Sequence, residues 1–303
     1  MRDYVVLVGN DINNIVAGKS WEDLLNELTS HLSISVDFPQ DKPFPLAYEE
    51  IYFKGLDTSG SFDERAVKKF VATHVSDIEY SSIHERLMTL GCENILTTNY
   101  DLSLESTESS NTKSLKNSGF IKESLYSMFR YHEVGHKKVW HIHGSANAYQ
   151  SITLGYEHYS GYLQHMRSYV VTGTKDTYKR RSFPPLTKRF KDDKVEHLSW
   201  VDMFFTKDVH ILGLSLDFNE TDLWWLLTFR QKSKHTKRLL IFNQIYYYIP
   251  KTYVESSKSK LDLLQSVGVQ IVEIDDSQLD KLGYYNCVID QISEKYTQQA
   301  VHG

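Results

Sequence analysis

Short apolar runs, separated by longer stretches with a helical pattern, constrain the fold of this chain more than any other feature. Their consecutive apolar positions are typical of parallel strands that are buried on both faces. The six runs are residues 4–8, 94–97, 139–142, 209–212, 238–242 and 269–274. Strands that alternate with helices in this way predict an α/β fold built on a doubly wound, Rossmann-like parallel sheet.

The stretches between the runs carry recognisable helix signals. Ser20 and Asp23 form a capping-box pattern in front of an apolar stripe, which predicts a helix over residues 20–32. Three further helices are predicted at residues 64–74, 82–90 and 220–230. Gly91 is expected to end the helix at residues 82–90, because glycine favours the position after a helix.

The chain has 303 residues, of which 41% are hydrophobic, so it is long and apolar enough for a sizeable core. We predict one domain over residues 1–303, whose Rossmann-like core comprises residues 1–147 and 199–303. Residues 148–198 begin rich in tyrosine and turn basic, which suggests an inserted, mainly helical lobe over the sheet edge. The polar segment 103–118 is expected to be a surface loop.

Charge and cysteine content exclude several classes of protein. Two cysteines, Cys92 and Cys287, cannot build a disulfide framework or a Cys-x-x-Cys zinc pair, and they suit a reducing cytoplasm. The beginning of the chain lacks a signal-peptide pattern, and no run approaches ~20 apolar residues, so a cytoplasmic protein outside the membrane is expected. With a net charge of -5, the acid-interrupted basic run 175–194 is interpreted as a solvated helical face, and direct nucleic-acid binding is not expected.

Two polar motifs follow the first two apolar runs. Gly9, Asn10, Asp11 and Asn13 come directly after the first run, where dinucleotide-binding folds place backbone N–H groups against a pyrophosphate. The sequence Thr98-Asn99-Tyr100-Asp101 follows the second run, at the sheet edge where ligands of open α/β sheets lie. Each motif, taken alone, is also compatible with an ordinary turn or helix cap, with Asp101 as the capping residue.

Two histidines, His141 and His143, lie around the end of the third run. Histidine has an unperturbed pKa of about 6.5 and can therefore act as a base near neutral pH. We expect the two side chains to point to opposite faces, and we choose His143 as the base because Gly144 lets the chain turn there. His141 is then structural, and no metal site is predicted, since opposite-facing histidines do not share one ion easily.

Two further motifs complete the candidate site. Gly213 and Ser215, in the sequence Gly213-Leu214-Ser215-Leu216-Asp217, follow the fourth run, and their small size allows a ribose or phosphate to approach the backbone. Asn243 ends the fifth run and is a candidate to hydrogen-bond an adenine ribose, or else to cap a loop.

These motifs, in this order, resemble those of the sirtuin-like family. That family opens with a glycine-rich loop in the place of residues 9–13, and its Thr-Asn-Tyr-Asp motif matches Thr98–Asp101 in full. Its His-Gly motif matches His143-Gly144, its Gly-x-Ser-Leu motif matches residues 213–216, and its strand ending in asparagine matches Asn243. The resemblance extends over the chain in motif order, except for the predicted lobe, and is closest to zinc-free, stand-alone bacterial members.

The resemblance implies NAD as the substrate and a role for each matching residue. Asn99 would orient a water at the anomeric carbon of the nicotinamide ribose, and His143 would accept a proton. Asp101 would fix the local geometry or stabilise the positive charge of an oxocarbenium-like transition state. The residues expected to bind NAD are Gly9, Asn10, Asp11, Asn13, Thr98, Gly213, Ser215 and Asn243.

Departures from the family pattern narrow the expected activity. The chain lacks the four cysteines of the deacylase zinc module, so we expect no zinc and favour hydrolysis of NAD to nicotinamide and ADP-ribose over protein deacylation. The resemblance also suggests NAD depletion in anti-phage defence, a homo-oligomer and an activating partner protein encoded nearby. A silent module that binds NAD or ADP-ribose, or docks a partner, is the alternative.

Asp11 replaces a glycine of the family's loop and introduces a charge. A carboxylate ~4 Å from a phosphate would cost about 4 kcal/mol at an effective dielectric constant near 20. Either Asp11 points away, for example as a helix cap, or NAD binds weakly until the loop rearranges.

Overall fold

The computed structural model describes residues 3–15, 20–38, 42–108, 115–121, 123–175 and 182–301. Within these ranges, one eight-stranded sheet forms the centre of the molecule. Its strands are β1 (Tyr4–Val8), β2 (Asn94–Thr97), β3 (Ser118–Gly119), β4 (Arg130–Val134), β5 (Lys137–His141), β6 (Asp208–Leu212), β7 (Ile245–Pro250) and β8 (Val269–Ile274).

The sheet has the order β3-β4-β5-β2-β1-β6-β7-β8. The six strands β5, β2, β1, β6, β7 and β8 are parallel to one another. β4 pairs with β5 and β3 pairs with β4, both antiparallel, so these two strands form an antiparallel edge. β1 pairs with β2 on one side and β6 on the other, so the chain reverses its direction across the sheet at β1. Such a switch point opens a crevice beyond the carboxyl ends of the strands. The α/β, Rossmann-like prediction is therefore confirmed.

Ten α-helices lie in the described part of the chain. They are α1 (Trp21–His31), α2 (Phe44–Ser59), α3 (Glu64–Val75), α4 (Ser82–Thr89), α5 (Tyr156–Arg167), α6 (Leu186–Lys191), α7 (Trp200–Thr206), α8 (Thr221–His235), α9 (Lys258–Ser266) and α10 (Lys281–Val301). The predicted capping box is present, since the Ser20 hydroxyl accepts from the Asp23 N–H and the Asp23 carboxylate accepts from the Ser20 N–H.

Apolar residues of the central strand alternate between two cores. Val5 and Leu7 lie in the core on one face of the sheet, and Tyr4, Val6 and Val8 lie in the core on the other. Helices therefore cover both faces, which explains why the strand is apolar at every position. A third core joins α1, α2 and α3 beside the sheet and includes buried residues near the carboxyl edge.

The strand predicted at residues 238–242 is wrong. This segment forms no strand, and its Leu240 and Phe242 side chains are 68% and 69% exposed. The strand lies at β7 instead, in a tyrosine-rich run in which two of the three hydroxyl groups have hydrogen-bond partners inside the protein. The Tyr247 hydroxyl donates to the Leu214 carbonyl, and the Tyr248 hydroxyl pairs with His210. Tyrosine therefore fills a buried strand here that an aliphatic pattern does not reveal.

The segment 103–118 differs from the exposed loop that we expected. Ser103, Leu104 and Glu105 are buried, and a short 3₁₀ helix covers Glu105–Thr107. Residues 109–114 lie outside the described residues. The buried start of the segment packs polar side chains beneath the carboxyl edge of the sheet.

Helices also dominate the described part of the predicted lobe 148–198. Helix α5 packs against α8, and its Tyr162 and Met166 belong to the same core as Val5. In the basic run, residues 176–181 lie outside the described residues, whereas α6 buries Arg189 against Asp202. Among the described helices, none combines the length and apolar character needed to cross a bilayer.

Candidate active site

A cleft opens at the carboxyl edge of the four central strands β1, β2, β5 and β6. Each strand contributes lining residues from the loop that follows it: Asn10 and Asp11 after β1, Thr98 and Tyr100 after β2, His143 after β5, and Gly213, Leu214 and Ser215 after β6. Trp21, Phe44 and Tyr159 from the covering helices add aromatic walls. The fold thus brings together four motifs that lie far apart in sequence.

The floor of the cleft requires two glycines. A Cβ on Gly9 would lie 2.3 Å from the Gly213 carbonyl oxygen and 2.4 Å from the Leu214 Cα, so any side chain there would separate the two loops. Gly213 has a φ of +64°, which favours glycine. The backbone hydrogen bond from the Asp11 N–H to the Gly213 carbonyl closes this contact. The loops after β1 and β6 are therefore joined into one surface.

Asn99 lies between two residues that line the cleft and is itself 3% exposed. Its backbone N–H donates to the Thr97 hydroxyl, and its side-chain N–H group lies 3.4 Å from the Gly9 carbonyl. The Asn99 Oδ1 atom has no hydrogen-bond partner among the residues that the structure describes. A buried acceptor without a donor is costly, so this atom is suited to a water or a hydroxyl of a bound molecule.

The backbone after β5 directs the two histidines to different places. The expectation of opposite faces is wrong for a regular strand, because side chains repeat with a period of two and such a strand would place His141 and His143 on the same face. The strand, however, ends at His141, and Gly144 adopts a φ of +98°. His143 consequently lines the cleft, whereas His141 is buried behind it.

Asp222, at the start of α8, is the partner of His143. Its Oδ2 lies 2.9 Å from the His143 Nε2, and the carboxylate is completely buried. A carboxylate that accepts from one ring nitrogen fixes the tautomer and leaves the other nitrogen, Nδ1, free to accept a proton. The sequence motifs did not point to Asp222, because its local signal is that of an ordinary acidic residue in the first turn of a helix.

A second carboxyl group, Glu220, lines the cleft next to this pair. Burial, together with the nearby charges of Asp222 and Asp217, raises the pKa of Glu220 well above its usual value. Its carboxyl group therefore holds a proton more readily than an exposed glutamate does.

Asp11 is paired, which weakens the expected conflict with a pyrophosphate. Its Oδ1 lies 2.7 Å from the Lys281 Nζ, and its Oδ2 accepts from the Tyr285 hydroxyl. Both partners come from α10 at the other end of the chain. The Asp11 carboxylate thus points toward α10 and forms an ion pair with Lys281. It does not cap a helix, which was the example given for a side chain that points away.

Asn13 and Asp101 lie behind the cleft lining. The Asn13 side chain donates to Asp101 Oδ2 at 2.8 Å, and its oxygen pairs with the His84 Nε2 at 3.0 Å. Asp101 Oδ1 accepts from the Ser103 N–H. These residues tie the loops after β1 and β2 together, and neither Asn13 nor Asp101 is among the residues that line the cleft.

Asn243 is a correction to the candidate site. It precedes β7 instead of following a strand, so it lies at the amino edge of the sheet, away from the cleft. Its side chain donates to the Phe204 and Lys207 carbonyls and accepts from Arg230. The error follows from the misplaced strand, and Asn243 stabilises the α7–β6 connection.

Comparison with protein families identifies a match over part of the chain. Residues 93–240 match the model of a family described as SIR2-like domain. This range contains Asn99, His143, Ser215 and Asp222, whereas the Gly9 turn and Lys281 lie outside it. No curated protein matches the chain.

Proposed function

This chain carries a SIR2-like domain, the kind of domain that acts with NAD, and we propose that it hydrolyses NAD to nicotinamide and ADP-ribose. The bond cleaved is the one between the nicotinamide ring nitrogen and the ribose. The observation that carries the proposal is the His143–Asp222 pair, which opens into the same cleft as the Gly9 turn and the Asn99 loop.

The cleft and a second cavity beside it suit the two halves of a dinucleotide. The two cavities share Asp11, Gly213, Leu214 and Ser215 as a common wall. Pyrophosphate would cross this wall near the backbone N–H groups of the β1 and β6 loops. The nicotinamide ribose then lies toward His143, and the adenosine lies toward Tyr247 and Tyr253 in the second cavity.

The reaction needs one water and one base. The Asn99 Oδ1 accepts a hydrogen bond from the water and holds it against the anomeric carbon. As the carbon–nitrogen bond breaks, its electron pair moves onto the nicotinamide ring, which leaves as a neutral molecule and needs no acid. The water oxygen bonds to the carbon, and its proton moves to His143, whose imidazolium is stabilised by Asp222.

The absence of the cysteine zinc module favours free NAD over an acylated protein as the second reactant. In the cell we propose that NAD depletion serves anti-phage defence, and that activity is controlled by homo-oligomerisation or by a partner protein. A catalytically silent module that binds NAD or ADP-ribose would possess the same cleft without turnover.

Incubation of the purified chain with NAD, followed by chromatography of the products, tests the proposal. Nicotinamide and ADP-ribose are expected in equal amounts from the native chain, and Asn99→Ala and His143→Gln should strongly reduce the amount of both. His210→Gln is the matched control, since His210 is also a buried histidine but bonds only to tyrosines. Full turnover by both cleft variants would contradict the assignment, and tight ADP-ribose binding without turnover, even with neighbouring gene products added, would indicate the silent module.

A further inference from the structure

Behind the cleft lies a cluster of three buried side chains, and we propose that it binds a divalent transition-metal ion such as Zn²⁺. The cluster consists of Glu105, His132 and His141, and we call it the buried His–Glu cluster. One donor atom from each residue lies within 4.8 Å of the others. The proposal does not depend on NAD cleavage.

Three elements bring the ligands together. His132 on β4 and His141 on β5 project from the same face of an antiparallel pair, where the register sets His132 opposite Val139. Glu105 enters from the short 3₁₀ helix that follows β2. All three side chains are at most 4% exposed.

The outer nitrogen of each ring is a donor, as is usual for metal-bound histidine. His141 Nδ1 lies 2.7 Å from the Asn99 backbone carbonyl, which can only accept. His132 Nε2 contacts two amide oxygens, Asn117 Oδ1 and Asn147 Oδ1, and the second lies at 3.1 Å. The orientation of the Asn147 amide is fixed, because its NH₂ group donates to the Leu115 carbonyl. Each neutral ring therefore presents a lone pair on its inner nitrogen.

The inner nitrogens converge on a carboxylate. His132 Nδ1 and His141 Nε2 lie 2.5 and 2.8 Å from the same oxygen of Glu105, Oε1. Three lone-pair donors that face each other require positive charge between them, either as protons on both rings or as one cation. A single proton would satisfy only one of the two contacts.

The second carboxylate oxygen favours the cation. Glu105 Oε2 is buried and has no hydrogen-bond partner in the described part of the chain. Two protonated histidines would leave this oxygen without a donor, whereas an ion bound by both carboxylate oxygens uses it. The ligand set is then two nitrogens and two oxygens, which suits zinc and its neighbours better than calcium or magnesium.

The geometry needs only a small expansion. With metal–ligand distances of about 2.0–2.2 Å, donor atoms on different residues lie roughly 3.3 Å apart around a zinc ion, whereas the two oxygens of Glu105 keep their fixed covalent spacing. The present contacts of 2.5 and 2.8 Å must therefore lengthen by less than about 1 Å. Because the His141 ring also bonds to the Asn99 carbonyl, a bound ion would fix the backbone of the Asn99 loop.

Metal analysis of the full chain, produced without a histidine tag, tests the proposal directly. We expect about one zinc equivalent per chain by mass spectrometry. After chelation the chain should take up one Co²⁺ with the absorption of a four-coordinate nitrogen–oxygen site. The same chain with no bound metal, no uptake of Zn²⁺ or Co²⁺ and an unchanged melting temperature would overturn the proposal in favour of two protonated histidines.

Variants locate the ion. Glu105→Gln should lose the metal, whereas the matched control His210→Gln should keep it. If Glu105→Gln does not fold, the double variant Asn117→Ala, Asn147→Ala provides a second test, because both amide oxygens contact His132 Nε2. Removal of the hydrogen bonds to His132 is expected to weaken Zn²⁺ binding about 10- to 100-fold. If these two variants bind zinc as tightly as the native chain does, the ion lies elsewhere and the assignment is wrong.

Discussion

Two histidine–carboxylate groups lie on either side of the end of β5, and they differ in what their ring nitrogens contact. In the cleft, Asp222 contacts only the Nε2 of His143, so one nitrogen remains available to a substrate. In the buried His–Glu cluster, both nitrogens of His141 have partners. The same two residue types thus form the proposed proton-transfer pair on one side and the proposed metal-binding cluster on the other. The two groups differ because both ring nitrogens of His141 are bonded, whereas for His143 a side-chain partner among the described residues is found at Nε2.

Equivalent substitutions of the two histidines should have opposite consequences. His143→Gln keeps a donor to Asp222 and should lower NAD turnover by about 10³-fold, because general base catalysis contributes 10²–10⁴-fold. His141→Gln should instead lower the free energy of unfolding by about 3 kcal/mol, since it breaks a buried charged group. Turnover assays and urea denaturation measure the two effects. The comparison fails if His141→Gln reduces turnover of the folded fraction as strongly as His143→Gln.

Substitution of the two carboxylates, Asp222 and Glu105, should also separate catalysis from stability, but the effect on kcat should be smaller than for His143→Gln. Asp222→Asn permits the tautomer that protonates His143 Nδ1, which then cannot accept a proton, so kcat should fall about 100-fold. Glu105→Gln should spare kcat in the protein that remains folded and mainly lower its melting temperature. Measuring kcat and KM separately is essential here, and a change in KM alone for Asp222→Asn would exclude the proposed role in proton transfer.

The sequence predicted those parts of the fold and of the cleft that depend on local patterns. Strands β1, β2 and β8 have the expected bounds, and His143, Asn99 and the Gly9 turn reach one edge because parallel strands end together there. The partners Asp222 and Lys281 were not found, because they are distant along the chain and only the packing of α8 and α10 brings them to the site.

The buried cluster was missed for a different physical reason. Glu105 lies in a polar segment whose composition is typical of an exposed loop, yet its side chain is fully buried against two histidines. Hydrophobicity predicts where apolar residues go, but a buried charge is stabilised by specific partners. Those partners lie on β4 and β5, and the sequence analysis had not recognised β4.

Another buried histidine, His210, sharpens the comparison because its side-chain hydrogen bonds within the described residues go to tyrosines and to no carboxylate. Burial, with a smaller effect from Lys295, lowers the pKa of His210 to about 3. The folded chain therefore binds fewer protons at this site than the unfolded chain, and stability falls as the pH drops below about 6.5 toward 3. Between pH 7 and pH 5 the loss should be about 1–2 kcal/mol.

His210→Gln should remove this contribution, because glutamine does not titrate. Urea denaturation of both chains between pH 5 and pH 7 checks the prediction. The variant should be less stable at pH 7, and the difference from the native chain should shrink as the pH falls. Parallel pH profiles for the two chains would exclude a neutral, buried His210.

The smallest expected effect concerns the ion pair at the mouth of the cleft. Lys281→Ala would leave Asp11 without its cation beside the proposed pyrophosphate path, so KM for NAD should rise. The pair is partly exposed, so solvent screening limits the rise to about 3- to 10-fold. The double variant Asp11→Ala, Lys281→Ala should return KM close to the native value, because it removes the repelling carboxylate as well. If Asp11→Ala alone lowers KM below the native value, the Lys281 pair does not neutralise the carboxylate, and Asp11 still repels NAD in the native chain.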